Sequence, residues 1–346
     1  MLKKRAYEFG FASLFAIIVG AFIILLAIIV AVKLTNQSKS TTNTLQGYQL
    51  GILTTPIETN LEESKIATIE VPRPTSLFNI CTPPDQAYSN LYFGKQELNA
   101  RVKIDIGQES RESSGVSSTF LNKYFFSSQR LDANQIYYVL SKRVEMPFKV
   151  ANVLIMWSDI DNYCVSDPAN LPSYLKSEMA DIGLDSFGFD FNGCDNAGET
   201  TKRVCFDCGA GISDDCDVVV CLSNQWVKKL DANDRERTIY YPLSTNPDDK
   251  FVFLYGAIFS DPDVYVCQIK RLAARAKELA QLYRLKSNEL EFKGCRSQPL
   301  KNALPAYISF TDRIITADPL TSSLIEQWTD EATRLENENA ATCKIF

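Results

Sequence analysis

Between Phe11 and Val32 the chain runs for 22 residues without a charged side chain. No other feature restricts its fold so strongly. At 1.5 Å rise per residue, a helix of that length spans roughly 33 Å, about one bilayer hydrocarbon core. Secretory signal peptides carry apolar cores of only about 7–15 residues, followed by a small-x-small cleavage site. Here the run ends Ala31-Val32-Lys33 instead. The pattern predicts a retained transmembrane helix over residues 11–32. Lys3, Lys4 and Arg5 precede it, opposed only by Glu8. Flanking Lys and Arg stay on the cytoplasmic side of a span. Residues 1–10 are therefore expected in the cytoplasm and everything after Lys33 outside, with the lipid bilayer as the first partner.

Cysteine usage points the same way. All ten cysteines follow the span: Cys81, Cys164, Cys194, Cys205, Cys208, Cys216, Cys221, Cys267, Cys295 and Cys343. An even number confined to the outer portion reads as a disulfide framework in an oxidising compartment. Histidine is absent. That excludes Ser-His-Asp and Cys-His nucleophile systems and any zinc site with imidazole ligands. Acid–base chemistry would fall to Asp, Glu, Lys, Tyr or Cys. A net charge of -6 argues against nucleic acid as a partner. With 45% hydrophobic and 23% charged residues, the outer chain has the composition of a folded domain.

Along that outer chain, residues 33–46 are polar and read as a linker. Residues 47–145 read as a β-rich subdomain, with strands expected over Ile66–Val71, Arg101–Ile106 and Gln135–Leu140 and a polar loop over Glu109–Ser118. Residues 146–300 read as an α/β subdomain. Its short, nearly continuous apolar runs Val150–Trp157, Val218–Leu222 and Phe251–Phe259 suit strands buried on both faces. Helices are expected over Leu171–Ile182 and from Pro262 to about Leu290. The second would start on a capping box of Ser260 and Asp263, with Pro262 in its first turn. Residues 183–221 form a cysteine-rich, disulfide-stapled insertion, and residues 301–346 a helical tail with a helix over Pro319–Ala341. The expected fold class is α+β or mixed α/β, β-rich at first and then a sheet with a long helix, behind one N-terminal membrane helix.

Three constellations could carry chemistry. Cys205, Cys208, Cys216 and Cys221 supply one C-x-x-C and two further thiols, which fit structural disulfides, a four-cysteine zinc knuckle or a redox-active pair. Asp159 and Asp161 follow the apolar run ending at Trp157. A D-x-D at the carboxyl end of a buried strand can hold a hard cation or support phosphoryl transfer. In this the chain resembles the HAD phosphohydrolases, with Ser223, Lys228, Asp261 and Asp263 available for the later motifs. It departs from them at Asn162, where the family carries Thr or Val. Finally, Asp181, Asp185, Asp190, Asp195, Asp207, Asp214, Asp215 and Asp217 load the insertion with carboxylates. They fit either solvated loop acids or a calcium site, without EF-hand spacing.

Two further resemblances bear on placement. The basic cluster, Ala6, Glu8 and the apolar helix resemble an archaeal prepilin-type leader, although the family's glutamate lies deeper in the helix. The opening Phe9-Gly10-Phe11-Ala12, Pro56-Ile57-Glu58-Thr59-Asn60-Leu61-Glu62, Phe93-Gly94-Lys95-Gln96-Glu97 and Pro147-Phe148-Lys149-Val150-Ala151 resemble single-span membrane-anchored proteins of small-genome (DPANN-type) archaea. That resemblance implies a location and no activity or cofactor. The expected function is a membrane-anchored, extracytoplasmic structural or binding protein of the cell envelope, with a protein partner there. The alternatives are a pilin-like filament subunit and a tethered metal-dependent hydrolase using Asp159 and Asp161.

Overall fold

The computed structural model describes residues 18–33, 65–85, 92–106, 109–113, 115–195, 197–198, 200–213, 215–231, 233–294, 298–340 and 344–346. Residues 18–33 form helix α1, nearly every side chain of which is exposed. At 1.5 Å per residue it spans roughly 24 Å. Among the described residues no helix is both long and apolar enough to cross a membrane. The first seven residues of the expected span, 11–17, lie outside the described residues.

The body is a mixed α+β fold, β-rich at first with long helices later. Its centre is a four-stranded sheet in the order β1–β8–β9–β6, from Lys65–Glu70, Ile136–Glu145, Lys149–Ser158 and Tyr124–Phe126. This sheet is buried on both faces, and parity along its strands shows how. Val153, Ile155 and Trp157 of β9 join one core cluster, while Leu154 and Met156 join another. Successive side chains of a strand point to opposite faces, so a strand covered twice must be apolar throughout. Val150–Trp157 comes close to that requirement, broken only by Asn152, which is itself buried.

The smaller core lies between this sheet and a second one. That sheet runs β4–β3–β2–β7 (Glu109–Glu112, Lys95–Ile106, Thr75–Thr82, Arg130–Ala133), with β5 (Val116–Phe120) also on β3. Leu77, Leu98 and Leu131 pack there against Phe125, Tyr137 and Val139. The expected polar loop over Glu109–Ser118 is thus corrected: it contains β4 and the start of β5. Both pair with β3. Pairing to a formed strand satisfies their backbone groups without an apolar alternation.

The larger core joins the central sheet to a six-stranded sheet through a helical layer. The order is β11–β10–β12–β13–β14–β15, from Phe189–Asp190, Tyr163–Val165, Lys202–Cys205, Val218–Cys221, Trp226–Leu230 and Glu236–Tyr240. The helices are α2 (Ser173–Ile182), α3 (Val252–Phe259), α4 (Pro262–Phe292), α5 (Gln298–Thr316) and α6 (Ser322–Ala340). Three expectations change here. Phe251–Phe259 is a helix, every residue of α3 being buried. A continuous apolar run does not separate a buried strand from a buried helix. Gly256 is required where α3 meets β6, because a Cβ there would lie 2.9 Å from the Phe126 ring. The insertion 183–221 contributes strands β11, β12 and β13 to the sheet and is not only a stapled loop. The subdomain boundary expected at 145/146 falls in the β8–β9 hairpin, whose strands pair along their length.

α4 starts at Pro262 as expected, but not on the expected box. Its N-cap is Asp261, which makes no side-chain capping bond. The Asp261 carboxylate instead accepts the Gln129 N–H at 2.6 Å. Ser260 is buried one residue earlier, and its Oγ finds no partner.

Four disulfides close the body: Cys81–Cys267, Cys164–Cys194, Cys205–Cys216 and Cys208–Cys221. Cys295 and Cys343 lie outside the described residues. Cys81–Cys267 ties β2 to α4 across 186 residues of sequence. Beside it, Arg271 of α4 is wholly buried and bonded to carbonyl oxygens. Its guanidinium donates to Leu121 O at 2.9 Å, Lys123 O at 3.0 Å and Gln268 Oε1 at 2.9 Å. Burial holds its pKa down to about 10. It pins the β5–β6 turn to the helix.

Candidate functional site

A group of ionisable side chains lies where the central sheet, the six-stranded sheet and α3 meet. It contains the expected Asp pair, which the fold divides between two tasks. Asp159, just past β9, serves the β7–β8 turn: Oδ1 accepts the Asn134 N–H at 2.9 Å, and Oδ2 accepts those of Gln135 and Ile136 at 2.8 and 3.3 Å. Asp161 turns the other way. Ser158 Oγ donates to its Oδ2 at 3.1 Å, and Lys202 Nζ lies 2.9 Å from its Oδ1. The two carboxylates do not converge on a shared point.

Lys202 extends the group inward. Its ammonium is 3.5 Å from the Tyr163 hydroxyl and sits over that ring at 5.3 Å. Burial alone would lower the Lys202 pKa, but Tyr163 and Asp161 together raise it. Burial pushes the Tyr163 hydroxyl up to about 12, against the pull of Lys202. Lys229, on β14, is buried beside them. Its Nζ donates to Ile258 O at 2.9 Å and Ser260 O at 2.6 Å, and lies 3.5 Å from Ala257 O. These are the carbonyls that the end of a helix leaves unpaired, so Lys229 caps α3 from within the core. Burial and then the charge of Lys202 push it down to about 7, with Asp261 and Asp161 pulling the other way.

Asp159, Asp161, Tyr163, Lys202 and Lys229 each bond to a neighbouring side chain or to backbone. The cluster holds three layers together.

The other expected residues are dispersed. Ser223 lies in the β13–β14 turn, 3.2 Å from Cys208 Sγ and 3.3 Å from Cys221 Sγ. Lys228 pairs with Glu236 across the β14–β15 hairpin at 3.1 Å, and Asp263 with Arg237 at 3.6 Å. The HAD-like slots are therefore filled by side chains with separate structural partners. The four clustered cysteines form two disulfides, Cys205–Cys216 and Cys208–Cys221. The C-x-x-C pair is split between them, which corrects both the zinc-knuckle and the redox-pair readings. Among the insertion acids, Asp190 accepts from Asn192 N and Asp207 from Gly209 N. Asp217 accepts from Arg203 N, and Asp215 pairs with the Arg203 side chain. Asp190 and Asp207 thus close turns, and Asp215 and Asp217 hold Arg203 of β12; Asp214 lies outside the described residues. Among the described residues no three His, Cys, Asp or Glu side chains are grouped to hold a metal ion.

Sequence reasoning missed the buried cations. Lys142 of β8 pairs with Glu178 at 3.0 Å and Asp249 at 3.2 Å, its side chain 1% exposed. The available signal was parity. Lys142 shares a strand face with Leu140 and Val144, and Lys229 with Val227.

Clefts lined by described residues open on the surface of the body. One of about 380 Å³ lies between the end of β2 and the start of α4, lined by Phe78, Ile80, Gln129, Arg130, Asp263 and Val264. One of about 270 Å³ lies at the amino ends of β10 and β11, lined by Asn162, Asp185, Gly188 and Thr201. One of about 390 Å³ lies beside the β8–β9 turn, lined by Glu145, Phe148, Tyr283, Glu336, Asn339 and Phe346. No family model matches the chain, and no curated protein or solved structure shows significant similarity to it.

Proposed function

We propose that the chain is a membrane-anchored, extracytoplasmic binding or structural protein of the cell envelope. A helix over residues 11–32 tethers it, and residues 1–10 stay in the cytoplasm. The observation that carries this reading is the lack of cover on α1. Ile18, Phe22 and Ile24 are 59%, 64% and 62% exposed, and no residue of α1 belongs to a core cluster. Apolar surface of that density marks a membrane or protein contact, and a helix satisfies its own backbone groups in lipid. The uncharged run in the sequence begins at Phe9, before the described helix does. Four disulfides suit an oxidising compartment. The resemblance to anchored archaeal proteins agrees in placement. On this reading the bilayer contacts residues 11–32, and a protein partner in the envelope contacts the body.

The test is the intact mass of the full chain, extracted from membranes under alkylating conditions before any reduction. The expected result is ten unalkylated cysteines and an uncut N-terminus. Alkylation at most cysteines would move the body to a reducing compartment and overturn the reading. A mass short of the residues up to Ala6 would replace it with the pilin-like one.

A further inference from the structure

Residues Lys344–Phe346 are held by the rest of the body as a peptide is held by a receptor. They run without regular structure in a groove, against the β8–β9 turn, the second half of α4 and the last turn of α6, and Lys344 and Phe346 line the cleft left open beside them. Asn339 of α6, 3% exposed, reads the main chain. Its Oδ1 accepts the Ile345 N–H at 2.7 Å and the Phe346 N–H at 3.5 Å, and its Nδ2 donates to Phe346 O at 2.7 Å. Lys286 of α4 donates to Ile345 O at 2.6 Å. Backbone contacts of this kind hold any extended chain and leave selectivity to side-chain pockets.

The side-chain contacts are specific. The Phe346 ring meets Phe148 edge-on at 5.3 Å and Tyr283 at 5.0 Å. Ile345 is 4% exposed and belongs to the main core. Lys344 lines that cleft with Glu336 and Glu145. Burial and then Glu145 raise the Glu336 pKa, and Lys344 offsets them. The wall is itself braced. Tyr307 donates to the Met146 carbonyl, and Trp328 Nε1 donates to the Tyr307 hydroxyl at 3.3 Å.

We propose that this groove is a peptide-binding site for an extended segment in which a cation is followed by an aliphatic and then an aromatic residue. Lys344–Phe346 occupy it intramolecularly and yield it to a partner segment of the same kind. This deepens the binding-protein reading and rests on that reading only for its biological role. The groove's affinity is measurable whichever side of a membrane the body occupies. A tethered occupant competes at an effective concentration on the order of millimolar. It therefore weakens a free peptide by the fraction of time it leaves the groove open.

The test uses the full chain in detergent and a fluorescein-labelled peptide of residues 341–346 carrying Cys343→Ser. The double variant Ile345→Ser/Phe346→Ser should bind it at least about tenfold tighter than the unaltered chain, because the tethered competitor is gone. Adding Asn339→Ala should abolish that binding. A peptide with the last three residues reordered should bind neither protein. In the unaltered chain, excess peptide should speed hydrogen exchange at the Ile345 amide. Absence of binding to a folded double variant overturns the proposal, as does equal binding of the reordered peptide. Should the double variant not fold, the exchange measurement decides: unchanged protection of Ile345 at millimolar peptide overturns the proposal, and faster exchange upholds it.

Discussion

α1 and α3 are the two helices whose residues are apolar almost all round, and they sit in opposite surroundings. Every residue of α3 is buried. In α1 almost every side chain faces outward. Composition is the same kind of signal in both, and the difference lies in what is close enough to cover them. α3 is met by β6 at Gly256, by the Trp157 ring stacked on Phe259 at 4.6 Å, and by Lys229 at its last carbonyls. Among the described residues, none of α1 joins a core cluster. A helix that is hydrophobic all round belongs either in a core or in a membrane; α3 lies in the core, and α1 is the helix for which the membrane is proposed.

The largest expected effect breaks the comparison directly. Ile258→Asp buries an unpaired carboxylate in α3 and should cost more than about 4 kcal/mol, enough to unfold the body. Ile24→Asp in α1 should leave the body's melting temperature unchanged and lower membrane retention instead. Circular-dichroism melts and membrane fractionation of both variants check this. Equal loss of body stability would mean that α1 is packed after all.

Next in size is the tie between sheets and helices. Cys81→Ser with Cys267→Ser opens a 186-residue link, and Cys205→Ser with Cys216→Ser an 11-residue one. On chain entropy the first should cost about 4–5 kcal/mol and the second about 3. Denaturant midpoints measured on each pair should fall in that order.

A smaller effect isolates the cap beneath α3. Lys229 titrates near 7 in the folded body and near its ordinary 10.5 when unfolded. Between those values the unfolded chain binds the extra proton. Stability should therefore rise with pH from about 7 to about 10, by at most about 1.4 kcal/mol per pH unit. Lys229→Met should remove that slope, which a series of melts at graded pH would show. The smallest effect lies away from α3: Asp159→Ala should cost about 1 kcal/mol by freeing the β7–β8 turn, whose amides can turn to water. A loss several times larger would show that the turn, and not the core, sets the body's stability.

Much of the fold was legible where one physical cause dominated. The double burial of β9 called for a nearly continuous apolar run, and Val150–Trp157, interrupted only at Asn152, supplied one. Pro262 marked the start of α4, since proline fits a first turn that needs no N–H donor. Legibility failed where two causes give one pattern. The run Phe251–Phe259 satisfies a buried strand and a buried helix equally. Pro305 lies inside α5, so a reading that treats proline as a break hides that helix. β4 and β5 carry no apolar alternation, because β3 provides their hydrogen bonds. At the candidate site, the spacing of Asp159 and Asp161 was visible, but their partners, in the β7–β8 turn and at Lys202, come from distant sequence. The groove around Lys344–Phe346 draws on a hairpin and two helices, and no local motif announces it.

The central claim is that α1 finds in lipid the cover that α3 finds in protein. The most direct measurement is protease treatment of intact cells, followed by alkaline carbonate extraction of their membranes. The account predicts that the protease removes the body from outside and that a short N-terminal fragment containing α1 remains in the carbonate-resistant pellet. Intact full-length chain in the carbonate supernatant, untouched by protease until the cells are lysed, would contradict it.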